Sequence, residues 1–118
     1  AIALSAMYGA NHFPDVRGLA CLTERGTTPT MMSRLSSGLP IFALSRRPDT
    51  LQRLALCRGV IPLFFDFAAF SPEDLEARTV EFLVDGGFLS RGDFILMTMG
   101  SARGEAGKTD LMKILPVK

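Results

Sequence analysis

Hydrophobic residues occur along this chain in two patterns, which predict two kinds of element. Short, continuously apolar runs are typical of strands buried on both faces of a parallel sheet, whereas apolar residues spaced three or four positions apart predict helices. On these patterns we predict strands at 18–22, 41–44, 60–65, 94–98 and 111–117. We predict helices at 1–12, 29–37 and 49–57, and a fourth helix that begins at Ser71–Pro72 and ends at Gly86–Gly87.

The order of these elements predicts the fold class. Helices and strands alternate until the last two strands, so we expect a three-layer α/β/α fold with a five-stranded, mostly parallel sheet. The last strand follows its neighbour across the Gly-rich loop 100–110 without a helix between them, which predicts an antiparallel strand at the edge. Pro62 interrupts the third strand, and this favours a place near an edge for that strand as well.

Composition places the chain among globular domains. It has 118 residues, of which 47% are hydrophobic and 21% charged, and its net charge is +1. A balance this even gives no strong field toward nucleic acid or an anionic membrane, and no apolar run reaches the length of a membrane span. Cys21 and Cys57 stand in apolar segments outside any Cys-x-x-Cys pair, which indicates buried thiols and a reducing compartment.

The segment 23–28 has the layout of an anion-binding turn between a strand and a helix. It follows the apolar run 18–22, and the next helix is predicted to begin at once, with Thr28 as N-cap and Pro29 in the first position. Backbone N–H groups at a helix start are unpaired, and the helix dipole favours negative charge there. The segment also contains side chains that suit a phosphate, those of Thr23, Arg25, Thr27 and Thr28.

The loop at 98–109 has a second possible relation to phosphate. Residues 102–109 resemble the phosphate-binding loop of nucleotide hydrolases, with Ala102 at the first glycine, but the nine residues that follow are predicted as a strand and not as a long helix. We favour a different role. The loop is expected at the carboxyl edge of the sheet, where it would lend Ser101, Lys108 or Thr109 to an anion held at the first turn.

The sequence contains no recognisable arrangement of catalytic residues. His12 is the single histidine and stands at the predicted end of the first helix, where a polar residue is common, and no serine or cysteine has a base paired with it. We therefore predict no catalytic residue and no metal site. The Thr-x-x-Gly-x-Thr turn also resembles the flavin phosphate loop of flavodoxins, which is an alternative, although the chain has no Trp and one Tyr to flank a flavin.

Six segments, spread in order through nearly the whole chain, carry a resemblance to a known family. They are AIALSAMY at 1–8, ANH at 10–12, LTE at 22–24, SRLSSGLPIFALSR at 33–46, RGV at 58–60 and KIL at 113–115. As an ordered set they resemble the C-terminal domain of bacterial pyruvate kinases, of the type activated by AMP or sugar monophosphates.

The resemblance implies a regulatory role. In this family the C-terminal domain binds an allosteric effector and contacts other subunits, while a separate barrel domain transfers a phosphoryl group from phosphoenolpyruvate to ADP with Mg²⁺ and K⁺. It implies a phosphorylated effector (AMP or a sugar phosphate), a cytoplasmic homotetramer, and no cofactor in this domain itself. Since the chain starts in a helical pattern without Met, we expect residues 1–118 to be one domain of a longer protein. We expect no nucleic acid or membrane partner.

By position, the family's effector phosphate loop falls on 23–28 and its second effector loop on 107–110. Arg25 stands where serine is usual and Asp110 where an amide is usual. A guanidinium can form a charge-assisted hydrogen bond to phosphate, whereas a carboxylate brings negative charge to an anion site. The alternative is a purely structural domain at subunit interfaces, with a degenerate effector site. The site residues that we predict are Thr23, Glu24, Arg25, Gly26, Thr27 and Thr28, with Ser101, Gly107, Lys108 and Thr109 in the second loop.

Overall fold

The computed structural model describes residues 6, 8, 9, 15–35, 38–99 and 111–118. The strands in these residues are β1 (Val16–Leu22), β2 (Ile41–Ser45), β3 (Val60–Phe64), β4 (Phe94–Met99) and β5 (Leu111–Pro116). The helices are α1 (Thr27–Leu35), α2 (Pro48–Leu54) and α3 (Pro72–Asp85), and a short 3₁₀ helix covers Phe67–Ala69. Most of the predicted helix at 1–12 lies outside the described residues, but Ala6, Tyr8 and Gly9 are helical.

The five strands form one sheet in the order β3-β2-β1-β4-β5. β1 is the central strand and runs parallel to β2 and β4, with Leu19 opposite Ile41 on one side and Leu96 on the other. β2 and β3 are also parallel, whereas β5 is antiparallel to β4 at the far edge. The predicted mixed sheet, with its last strand antiparallel at the edge, is therefore confirmed.

Pro62 lies in β3, which is the other edge strand. The carbonyl of Gly59 accepts a hydrogen bond from β2, and the N–H of Phe65 donates one to the end of β2 at Ser45. Since backbone groups of alternate residues point to opposite sides of a strand, Pro62 directs its missing N–H to the open edge. The prediction of an edge position is confirmed, and no bond of the sheet is lost.

Alternate strand residues enter two apolar clusters, one on each face of the sheet. The first face packs against α1 and α2, and its buried members include Leu19, Cys21, Ala43, Leu96, Met32 and Leu54. The second face packs against α3, and its buried members include Ala20, Phe42, Leu44, Ile95 and Leu83. Two helical layers therefore enclose the sheet, which confirms the three-layer α/β/α fold.

Two helices differ from the sequence prediction. α1 begins at Thr27 instead of residue 29, so Thr28 is a helical residue and not the N-cap, and residues 36 and 37 of the predicted helix lie outside the described residues. α2 ends at Leu54 instead of residue 57, because the N–H of Cys57 turns back to the carbonyl of Leu54 at 3.0 Å. α3 begins at Ser71–Pro72, as predicted, with Ser71 as its N-cap residue, and the Ser71 hydroxyl hydrogen-bonds to the Asp74 carboxylate at 3.0 Å.

Cys21 lies in the core of the central strand, 1% exposed, with its sulfur 3.7 Å from that of Met32. Burial raises the pKa of its thiol from 9.0 to about 12, because a thiolate is poorly solvated there. The unfolded chain therefore releases this proton from about pH 9 upward while the native protein keeps it. We expect the free energy of unfolding to fall with pH across this window, by at most about 1.4 kcal/mol per pH unit from this group.

The measurement is urea unfolding between pH 8 and pH 10.5. Cys21→Ala should show a shallower decline than the unsubstituted protein. Equal slopes for the two proteins would contradict this assignment.

Thr98, near the end of β4, has a buried hydroxyl that lacks a strong partner. Among the described residues, its Oγ1 is the buried side-chain oxygen that has no hydrogen bond of ordinary geometry, although, against the larger effect of burial, the nearby Thr98 side chain lowers the pKa of the Cys21 thiol. A buried unsatisfied group costs roughly 1–3 kcal/mol, so Thr98→Val should raise the free energy of unfolding by about 1 kcal/mol. Thr79 is the matched control: it is equally buried, but its hydroxyl donates to the carbonyl of Leu75 at 2.8 Å. Thr79→Val should therefore lower the free energy of unfolding. If urea unfolding shows that both substitutions change this free energy in the same direction, the predicted difference between Thr98 and Thr79 is wrong.

Candidate anion site at the β1–α1 turn

The turn between β1 and α1 comprises residues 23–26 and begins at the carboxyl edge of the sheet. The N–H of Thr23 donates to the carbonyl of Leu44 on β2 at 2.9 Å, so this residue is still attached to the sheet. Its hydroxyl then accepts a hydrogen bond from the N–H of Gly26 at 2.8 Å. The predicted site residue Thr23 is thus 8% exposed and closes the turn through its side chain.

Gly26 is required by both conformation and space. Its φ is +83°, in the left-handed region that side chains disfavour. A Cβ atom built there would lie 3.1 Å from the side chain of Leu54 on α2. The turn therefore packs directly on α2, and only glycine allows this approach.

The first turn of α1 leaves backbone donors at the turn. The carbonyl of Gly26 accepts from both the N–H (3.1 Å) and the hydroxyl (2.7 Å) of Thr30, which starts the helix earlier than predicted. Within the described part of the chain, the N–H groups of Arg25 and Thr27 have no hydrogen-bond partner. Because the positive end of the helix dipole lies here, these groups suit an anion.

Two side chains of α2, which sequence reasoning missed, bind the carbonyl groups of the turn. The hydroxyl of Thr50 donates to the carbonyl of Glu24 at 2.7 Å. Arg53 donates through Nη2 to the carbonyl of Arg25 at 3.1 Å and to the hydroxyl of Thr50 at 3.2 Å. Their spacing of three residues, in a helix whose start faces the same sheet edge, is the one signal in the sequence that could have indicated them.

The charges of the turn are unevenly paired. Glu24, a predicted site residue, accepts a hydrogen bond from Arg46 at 2.8 Å, and this bond, then the charge attraction, holds the pKa of Arg46 above its ordinary value. Arg47, beside it, pairs with Asp49 at 3.6 Å. Arg25 has an exposed side chain, and among the described residues it forms no salt bridge. No carboxylate among the described residues therefore pairs with the positive charge of Arg25.

The other predicted site residues divide into two groups. Thr27 is exposed in the first turn of α1, whereas Thr28 beside it is 8% exposed. Ser101, Gly107, Lys108 and Thr109 lie outside the described residues, as does the whole segment 102–109 that resembles a nucleotide phosphate loop. β4 ends at Met99. This is two residues after Met97, which lies opposite Ala20 of β1.

Among the described residues, no three His, Cys, Asp or Glu side chains are grouped so that they could hold a metal ion. None of the helices in this part of the chain has the length and apolar character needed to cross a membrane.

Comparison with known proteins identifies the family. The family model described as pyruvate kinase, alpha/beta domain, matches residues 1–115. The chain is 45% identical to a pyruvate kinase of Buchnera aphidicola (subspecies Baizongia pistaciae) over 99% of its own length and 24% of that protein's length. It is 46% identical to pyruvate kinase II of Salmonella typhimurium over 100% of the chain and 24% of the relative, and 46% identical to the pyruvate kinase of Haemophilus influenzae over 84% of the chain and 20% of the relative.

The chain thus spans about a quarter of the length of the curated relatives that it matches. The resemblance that the sequence segments indicated is confirmed, whereas the subtype of effector is a separate question. With a family match that covers nearly every residue and a sheet of the expected topology, this chain belongs to the pyruvate kinase family, as its alpha/beta domain.

Proposed function

We propose that this chain is the regulatory and oligomerisation domain of a cytoplasmic pyruvate kinase, and that it binds a phosphorylated metabolite at residues 23–28. The observation that carries the proposal is the pair of N–H groups of Arg25 and Thr27 at the start of α1, for which the described residues provide no hydrogen-bond partner. Together with the guanidinium of Arg25, they offer a phosphate both hydrogen bonds and a compensating charge.

The chemistry of the parent enzyme belongs to the same proposal. A separate barrel domain would transfer the phosphoryl group of phosphoenolpyruvate to ADP, giving pyruvate and ATP, with Mg²⁺ and K⁺ bound there. The effector would be AMP or a sugar monophosphate, and it would act by favouring one packing of the subunits in a homotetramer over another. The second loop, with Ser101, Gly107, Lys108 and Thr109, would close over the same ligand.

One observation favours a second candidate, a purely structural domain at subunit interfaces. The turn is closed by groups of the protein itself, since Thr23 satisfies the N–H of Gly26 and Arg46 neutralises Glu24. A turn of this kind is stable without a ligand, as a degenerate effector site would be. The flavodoxin-like alternative has no comparable support, because the relatives are pyruvate kinases.

Ligand-dependent unfolding separates the two candidates. The 118-residue chain is heated alone and with AMP, ribose 5-phosphate, glucose 6-phosphate or fructose 1,6-bisphosphate, and with adenosine, ribose and glucose as unphosphorylated controls. A bound ligand at ~100 times its dissociation constant stabilises by about 2.7 kcal/mol, so at least one phosphorylated compound should raise the unfolding temperature and its unphosphorylated counterpart should not. The absence of any shift at millimolar concentrations would leave only the structural role.

The contribution of Arg25 is tested with a charge-matched pair of variants. Arg25→Gln should weaken binding of the active phosphorylated compound about tenfold, as expected for the loss of one charge-assisted hydrogen bond. Arg34→Gln removes the same charge from an exposed residue in the last turn of α1 and should leave the affinity nearly unchanged. Equal weakening in both variants, measured by calorimetric titration, would mean that only the net charge matters.

A further inference from the structure

One face of α2 holds the backbone of the β1–α1 turn at three consecutive points. Thr50, Arg53 and Leu54 are spaced so that they share a helix face. Thr50 binds the carbonyl of Glu24, Arg53 binds the carbonyl of Arg25, and Leu54 packs beneath Gly26. α2 therefore contacts the turn residue by residue, and not through a single anchor.

These contacts decide where the N–H groups of the turn point. In a trans peptide the carbonyl and the following N–H point in opposite directions. Since the carbonyl of Glu24 is turned toward Thr50, the N–H of Arg25 is directed away from α2. Since the carbonyl of Gly26 points into α1 toward Thr30, the N–H of Thr27 is directed out of the helix start. The peptide between these two gives its N–H to Thr23.

Thr50 and Arg53 act as one hydrogen-bonded chain. Thr50 is 1% exposed, so its single O–H donor has no water to turn to, and it is committed to the carbonyl of Glu24. Arg53 in turn donates to the oxygen of Thr50 at 3.2 Å, which fixes the direction of that hydroxyl and polarises it. In the described part of the chain Arg53 forms no salt bridge, so its positive charge also stays beside the turn.

We propose that Thr50 and Arg53 are positioning residues of the anion site. They need not touch the phosphate. Thr50 orients the Glu24–Arg25 peptide so that the N–H of Arg25 is presented to the ligand before it binds, and Arg53 holds both the Thr50 hydroxyl and the following peptide in place. The inference rests on the proposed function of the turn, and it assigns to α2 the preorganisation that this function needs.

The test uses the ¹⁵N-labelled 118-residue chain titrated with inorganic phosphate and followed by NMR. In the unsubstituted protein, the amide signals of Arg25 and Thr27 should shift as phosphate is added. Thr50→Val removes the hydroxyl at nearly constant volume, and it should raise the dissociation constant about tenfold and abolish most of the Arg25 shift. Thr50→Ser keeps the hydroxyl and should restore both.

Thr79→Val is the matched control, since Thr79 is as buried as Thr50 and also donates to a backbone carbonyl, but on α3. It should leave the dissociation constant unchanged. A role through general stability would make Thr79→Val weaken binding as much as Thr50→Val, and that result overturns the inference. So does unaltered binding by Thr50→Val, in which case the proposed function still stands.

Failure of the proposed function looks different. If the unsubstituted chain responds to none of inorganic phosphate, AMP and glucose 6-phosphate, the turn is no anion site and the positioning role falls with it. Where Thr50→Val does not fold, Arg53→Met gives the same decision, because Arg53 is exposed. Arg53→Met should weaken phosphate binding severalfold more than the charge-matched Arg34→Met, and equal effects overturn the inference.

Discussion

The central strand β1 is buried on both faces, so each polar group of its backbone needs a partner inside the protein. Neighbouring parallel strands supply these partners up to Thr23, whose N–H still reaches Leu44. Beyond that residue the ladder of strand hydrogen bonds ends, and side chains provide the hydrogen-bond partners of the backbone. Thr23, Thr30, Thr50 and Arg53 satisfy the next carbonyls and one N–H, while the N–H groups of Arg25 and Thr27, at the positive end of the helix dipole, have no partner among the described residues.

The charged side chains around the turn are also arranged by the way the strands pair. The side chain of Glu24 is 21% exposed, close to the start of a helix, and Arg46 at the end of β2 compensates it. The carboxylate therefore does not cancel the charge of Arg25. The negative charge of Glu24 would by itself repel an anion. The pairing of β1 with β2 brings Arg46 close enough to neutralise it, so the turn can still accept an anion.

The sequence predicts the architecture well because each signal is local and repeated. Apolar runs mark strands buried on both faces, the proline in β3 marks an edge, and the missing crossover helix marks the antiparallel strand. The predicted start of α1 was wrong by two residues, because Thr30 donates both its N–H and its hydroxyl to the carbonyl of Gly26. Helix propensity does not reveal such a side-chain hydrogen bond. Thr50 and Arg53 were missed because they bind carbonyls more than 20 positions away, and backbone acceptors leave no trace in a residue pattern.

Pro62 has a consequence for how this molecule behaves in a crowded solution. An edge strand with free N–H and C=O groups is a template on which another chain can add a strand and begin an aggregate. In β3 the middle residue on the open side has no N–H to offer, so an incoming strand would lose a bond at the centre of its five-residue ladder. The proline thereby protects one side of the sheet from uncontrolled growth, at no loss to the bonds within it.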